Sequence, residues 1–207
     1  MLASSYNDVL VLFSFIVAIL ASYTALDMVG RVTTTDRTAS RWWLGGGSVA
    51  MGIGIWSMHF IGMLAFSLPV SISYDPLITG LSMLIAIASS LFALWFVTAA
   101  ALTLPRLVAG SLILGCGIAG MHYTGMAAMS VMPGMNYDPR WVLLSVVIAV
   151  LASAAALWMA FRLRTQINNV KLLRALAAIV MGVAIVGMHY TGMAAAHFHM
   201  MGNMAHH

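Results

Sequence analysis

The chain reads as an all-α membrane protein: six transmembrane helices forming three parallel helical-hairpin repeats around a pseudo-threefold axis. Three observations predict this. The 207 residues are 62% hydrophobic and only 7% charged, with a mean hydropathy of +1.00, which is more apolar surface than one globule can hide. Six long apolar runs punctuate the chain. A short motif, Met-His-aromatic-x-Gly-Met, recurs three times, as "SMHFIGMLA" from Ser57 and as "GMHYTGMAA" from Gly120 and from Gly187.

The runs cover approximately residues 9–29, 42–66, 78–103, 107–131, 141–163 and 173–197. Each is near or above the roughly 20 residues that cross a bilayer as a helix. They are continuously apolar rather than alternating, which argues against a β-barrel. The first lacks a basic leading segment and is longer than a signal-peptide core, so it reads as a permanent helix. Arg31, Arg37 and Arg41 fall between the first two runs, Arg106 between the third and fourth, and Arg162, Arg164, Lys171 and Arg174 around the last turn; only Arg140 lies on the other side. By the positive-inside rule those turns are cytoplasmic and both termini lie outside. The expected placement is multi-pass, with the N-terminus outside. The basic balance thus reports topology, and no basic stretch with interleaved aromatics suggests a nucleic-acid partner.

The histidines His59, His122 and His189 are 63 and 67 residues apart, and other features keep that period. "YDP" occurs at Tyr74 and at Tyr137, each Tyr fifteen residues after its histidine, and "ASYTAL", "SSLFALW" and "ASAAALW" begin at Ala21, Ser89 and Ala152. Each unit holds two spans, so every copy enters the membrane in the same sense, and the repeats are parallel. The whole chain is expected to be one domain, with repeats at approximately 1–75, 76–138 and 139–207. Asp75 and Asp138 precede prolines and read as caps of the following helices. Asp27, near the inner end of the first span, reads as facing the headgroups, with no second carboxylate to support a proton relay.

On a helix, the Met before each histidine, the Gly three after it and the Met four after it share an arc of about 140°. Small residues at such positions let a neighbouring helix approach closely, so the arc is expected to face inward. Imidazole in lipid would leave ring nitrogens unpaired, so three at one depth call for partners. Thioether and imidazole together form a soft-to-borderline ligand set suited to copper, Cu(I) above all, and poorly suited to hard cations. The candidate metal ligands are His59, His122 and His189, each with a methionine four residues on, Met63, Met126 and Met193, some methionines coordinating and others packing. The competing reading is structural. Methionine fills irregular cores without any metal, a lone intramembrane histidine can bond a backbone carbonyl, and duplication copies structural residues as faithfully as functional ones. Tyr123 and Tyr190 could donate hydrogen bonds behind the ligands, a role that Phe60 cannot fill in the first copy.

A second cluster, His197, His199, His206 and His207 among Met200, Met201 and Met204, is a candidate for capturing copper outside the membrane, the terminal His206 and His207 equally fitting the remnant of an expression tag. The single cysteine, Cys116, falls within the fourth run and excludes an intrachain disulfide or a Cys-x-x-Cys site. No nucleophile–base pair, phosphate loop or paired carboxylates stand out, so no enzymatic activity is expected of these residues.

At "MHYT", residues 121–124 and 188–191, the sequence closely resembles the MHYT domain, a family of bacterial integral membrane sensors, and the likeness covers nearly the whole chain. The resemblance implies a location in the bacterial inner membrane, copper bound near the outer face through Met58, His59, Met63, Met121, His122, Met126, Met188, His189 and Met193, and a diatomic gas as the signal, whether oxygen, carbon monoxide or nitric oxide. It also implies a cytoplasmic output module that makes or degrades cyclic-di-GMP in a longer chain. The first copy departs from the pattern by reading "MHFI", and residue 207 falls on the predicted outer side. A following cytoplasmic module would need a further crossing, so the chain is expected to be a sensor domain of a longer protein or a standalone member. The alternatives from other classes are a haem-binding membrane sensor and a copper transport or storage protein.

Overall fold

A computed structural model describes residues 5–67, 69, 72–98, 101–130, 135–164 and 169–198. Six helices carry the chain back and forth, α1 (Asp8–Thr34), α2 (Arg37–Ala65), α3 (Pro76–Phe96), α4 (Leu104–Ala127), α5 (Pro139–Leu163) and α6 (Val170–Ala194). All six are long and apolar enough to cross a membrane. Their starts follow local chemistry. The Asn7 side chain accepts from Val9 and Leu10 N–H, Asp75 from Leu77 and Ile78, and Asp138 from Arg140, each at 2.8–3.2 Å. These bonds satisfy amide donors that the first helical turn leaves free. Pro76, Pro105 and Pro139 occupy first-turn positions where no amide hydrogen is needed. At the opposite end of the bundle, Asp36 caps α2 through Thr38 and Ala39 N–H, both at 2.9 Å, and those donors hold its carboxyl below the ordinary range.

Three helix limits differ most from the apolar runs. α1 and α2 continue well past them through Arg31–Thr34 and Arg37–Ser40, because a helix leaving the bilayer no longer needs apolar side chains once Asp36 caps it. α3 stops at Phe96, although the run continues to 103. The residues beyond are apolar because they pack. Val97 is buried in the main core with Leu94, Leu114 and Leu157, and Leu102 packs against it.

Successive helices pack side by side and α6 packs back on α1, closing a ring in which α2, α4 and α6 also meet near the axis. Each hairpin is clasped at its ends by two short antiparallel strands. β1 (Ser5–Tyr6) pairs with β2 (Phe66–Ser67), β3 (Ser73–Tyr74) with β4 (Met129–Ser130), and β5 (Met135–Tyr137) with β6 (Ala196–Phe198). The cap residues extend each clasp, with Asn7 N–H donating to Ala65 O at 2.9 Å, Asp75 to Ala128 O at 2.8 Å and Asp138 to Ala195 O at 2.9 Å. Both ends of every unit therefore lie at one face of the bundle, as parallel repeats require. Where adjacent units meet, a glycine brings backbones together: a Cβ on Gly115 would lie 2.7 Å from Val150 Cα.

A candidate metal centre of three histidines

His59, His122 and His189 project from α2, α4 and α6 five or six residues before the helix ends, about 8–9 Å below the clasps at the helical rise. All three are fully buried. Their Nδ1 atoms meet on the axis, His59 to His189 at 3.1 Å and His59 to His122 at 3.2 Å, with the rings edge to face at centroid distances of 4.9–5.2 Å. A neutral imidazole nitrogen either donates or accepts. Three nitrogens facing one another at such distances leave at least one pair without a complementary partner. A cation removes the conflict by accepting all three lone pairs. Nitrogens about 2.0 Å from a metal at tetrahedral angles lie about 3.3 Å apart, close to the separations in this triad. The donor set and its geometry fit a metal ion, and the ligating atoms all lie within 4.8 Å of one another.

The far side of each ring explains the motif's glycine. The Nε2 atoms are buried without a hydrogen bond of ordinary geometry. Each lies against the glycine of the next repeat, His59 on Gly125, His122 on Gly192 and His189 on Gly62. A Cβ on Gly62 would come within 2.7 Å of His189 Cδ2 and 3.0 Å of Cε1, and would collide with Nε2. The glycine therefore makes room for an imidazole, where the sequence pattern suggested room for a backbone.

The aromatic residue after each histidine also reaches into the next repeat. Tyr123 OH bonds Ser145 Oγ at 2.6 Å, and Tyr190 OH bonds Ser14 Oγ at 3.2 Å. The first copy has Phe60, yet the bond is still made. Trp56, one turn earlier and stacked on Phe60 at 5.2 Å, donates Nε1–H to Ser82 Oγ at 3.1 Å. Ser14, Ser82 and Ser145 each sit seven residues after the cap residues Asn7, Asp75 and Asp138. Counting from those caps would have exposed this serine set, and with it "SYN" at Ser5 as a third cap sequence. Clasp tyrosines complete each contact: Tyr6 packs on Tyr190 at 5.5 Å, Tyr74 on Phe60 at 5.3 Å and Tyr137 on Tyr123 at 5.6 Å. Burial pushes the Tyr6 and Tyr137 hydroxyls up to about 12, with the neighbouring phenols adding to the shift.

The six candidate methionines are all buried but fall into two groups. Met63, Met126 and Met193 gather with Met129 and Phe66 in one cluster between the triad and the clasps. Met58, Met121 and Met188 are dispersed. Met58 packs with Ala18 and Val186, Met188 with Ala119 and Ala149, and Met121 against the central cavity. Asp27 does more than face headgroups: it pairs with Arg31 at 2.8 Å and with the buried Arg174 of α6 at 3.3 Å. Cys116 is a free thiol on the exposed face of α4. Of the C-terminal cluster, His197 lies in β6, and His199, Met200, Met201, Met204, His206 and His207 fall outside the described residues.

The sequence has counterparts among known proteins. The chain is 64% identical over 198 residues to the bifunctional diguanylate cyclase/cyclic di-GMP phosphodiesterase MucR of Pseudomonas aeruginosa, an alignment covering 96% of this chain and 29% of that protein. It is 41% identical to the cyclic di-GMP phosphodiesterase NbdA of the same species, over 92% of this chain and 24% of NbdA, and 40% identical to the signaling protein YkoW of Bacillus subtilis, over 94% and 24%. The chain thus spans less than a third of these relatives. No solved structure matches it. A family model described as MHYT, bacterial signalling protein N terminal repeat, matches residues 52–110 and 115–171. Those segments contain the histidine motifs of α2 and α4 in the same register, and together they cover more than half of the sequence; the chain belongs to the MHYT family of bacterial signalling proteins.

Proposed function

We propose that the chain is a membrane sensor domain that holds copper at His59, His122 and His189, detects a diatomic gas there, and passes the signal to a cyclic-di-GMP output module. One observation carries the reading: three buried Nδ1 atoms converge, His59 lying 3.1 Å from His189 and 3.2 Å from His122, and tautomers cannot make every pair among them complementary. The thioethers of Met63, Met126 and Met193, gathered on the clasp side, favour copper over a harder ion. Met58, Met121 and Met188 serve packing. Copper held by three imidazoles supplies soft Lewis acidity and a position open to oxygen, carbon monoxide or nitric oxide. The contact between the rings, at 4.9–5.2 Å, leaves no slot for a porphyrin between them, which speaks against haem.

The residues themselves supply the transmission. Each imidazole is anchored on one helix and lodged against a glycine of the next, so drawing the three nitrogens together or letting them part shifts α2, α4 and α6 relative to one another. The output belongs to domains like those in the names of MucR and NbdA. Eight of the nine basic residues lie at the end opposite the clasps, which by the positive-inside rule supports a cytoplasmic position for that end, in the bacterial inner membrane with the N-terminus outside. The test is elemental mass spectrometry on protein loaded with Cu(I), with His206 and His207 removed. About one copper per chain is expected, and none in the His59→Ala, His122→Ala, His189→Ala triple variant. Equal copper in both, or none in either, sinks the proposal.

A further inference from the structure

On the other side of the triad from the clasps, the axis opens into a cavity of about 90 Å³ lined by all six helices. The lining repeats in threes. Ile55, Ile118 and Ile185 lie one turn below the three histidines, and further down Ser22, Ser90 and Ser153 form one ring and Ala25, Ala93 and Ala156, about a turn beyond, another. Interiors are normally packed without voids larger than a water, so a chamber of this size framed by three alanines at one symmetric level stands out. Ser90 Oγ donates to Ala86 O at 2.9 Å, but Ser22 Oγ and Ser153 Oγ, on residues 2% and 1% exposed, have no partner among the described residues.

A water molecule needs two to four polar partners to settle in a cavity. Alkyl groups make up nearly all of this lining, so water is a poor occupant and an apolar guest meets no competitor. The volume sets the size. It exceeds the roughly 10–15 Å³ that one water requires and falls short of the roughly 150 Å³ of a cavity that takes benzene. We propose that this chamber is a binding site for one small neutral molecule of a few heavy atoms, held by dispersion and with the free serine hydroxyls available to a weak acceptor. Met121, next to His122, is part of the lining, so the chamber extends up the axis toward the triad. The site uses none of the three imidazoles and goes beyond the copper reading.

Xenon is the probe, applied under pressure to crystals of the metal-stripped chain. One anomalous peak is expected on the axis at the level of Ser22, Ser90 and Ser153. It should persist in the triple histidine-to-alanine variant and lose at least fivefold in occupancy in Ala93→Leu, whose added side chain fills the chamber. Should Ala93→Leu fail to fold, Ala25→Val is the substitute. Absence of an axial peak in the wild type, or a peak undiminished in the filled variant, overturns the proposal; loss of copper binding alone leaves it standing.

Discussion

Replacing Gly62 by alanine tests whether the glycines of the motif are seats for the histidines. The new Cβ would stand 2.7 Å from His189 Cδ2 where ordinary contact begins near 3.4 Å, so the ring must retreat by about 0.7 Å, and Nε2 by more. Retreat along the ring axis is blocked, because His189 Nδ1 already lies 3.1 Å from His59 Nδ1. The imidazole must swing out of the triad or α2 and α6 must part. Ligand positions in a metal site tolerate about 0.2 Å, so one of three bonds is lost; copper affinity should fall at least 10–100-fold, the loss typical of disturbing the residues that orient a ligand. Overpacking adds about 1–3 kcal/mol of destabilisation. Gly187→Ala is the control. That position lies in α6 two residues before His189, an added Cβ there would meet nothing within 4 Å, and the change should be neutral or stabilising by up to about 1 kcal/mol, as expected for Gly to Ala in a helix. Competition with a Cu(I) chelator gives the affinities and thermal unfolding in detergent gives the stabilities. Indistinguishable values for the two variants would refute the seating of His189 on Gly62.

Trp56→Phe removes the donor to Ser82 and should cost about 1 kcal/mol in unfolding experiments; adding Phe60→Tyr should recover most of it by restoring the bond that Tyr123 and Tyr190 make in the other copies. Asp27→Asn takes the carboxylate from the guanidinium of Arg174, whose side chain is 6% exposed and keeps its bond to Leu163 O at 3.2 Å, and a destabilisation of about 1–3 kcal/mol is expected from thermal unfolding. Alkali should weaken the clasps. The Tyr6 and Tyr137 phenols ionise near 12 when folded and near 10.0 when unfolded, so their contribution is fully present below pH 10 and is lost as pH rises toward 12. Melting temperature should fall across that window less steeply in the Tyr6→Phe, Tyr137→Phe double variant, and equal slopes would count against the assignment.

Hydropathy located all six spans, because a bilayer demands continuous apolar length, and the recurring motif foretold parallel hairpins around one axis. The methionine grouping was less legible. Helical geometry puts the Met before the histidine and the Met four after it on one inward arc, but that arc is wide enough to straddle two surroundings. Met63 turns to the axis and Met58 to the boundary between units. Trp56 escaped notice because the lost tyrosine hydroxyl is replaced from a different helical turn, which position-by-position comparison of the motifs does not register. The pairing of Asp27 with Arg174 joins residues 147 apart, and neither is matched in kind at the equivalent positions of the other repeats. The extra length in the third apolar run arises because hydropathy reports burial, whether in lipid or against protein, and Val97 is buried against protein.

That ion pair sits where ring closure needs it. The contacts described between units run in one direction, from each repeat to the next: histidine to glycine, aromatic to serine, glycine of an even helix to backbone of an odd one. Between the first and second repeats, and the second and third, a covalent loop holds the neighbours at high effective concentration. The third meets the first across α6 and α1 with no such link, although the same three contacts recur as His189 on Gly62, Tyr190 on Ser14 and Gly182 on Ile19. Asp27 occupies the place that Trp95 and Trp158 hold in the other units, and Arg174 the place of Leu44 and Leu107. The apolar residues at those places belong to joints already tied by the chain. At the untied joint, a charged pair partly shielded from water is satisfied in fewer registers than an apolar contact, which would favour closure of α6 on α1 over a slipped or opened ring. The triad depends on that selection, because His189 reaches the axis only when the third repeat is seated against the first.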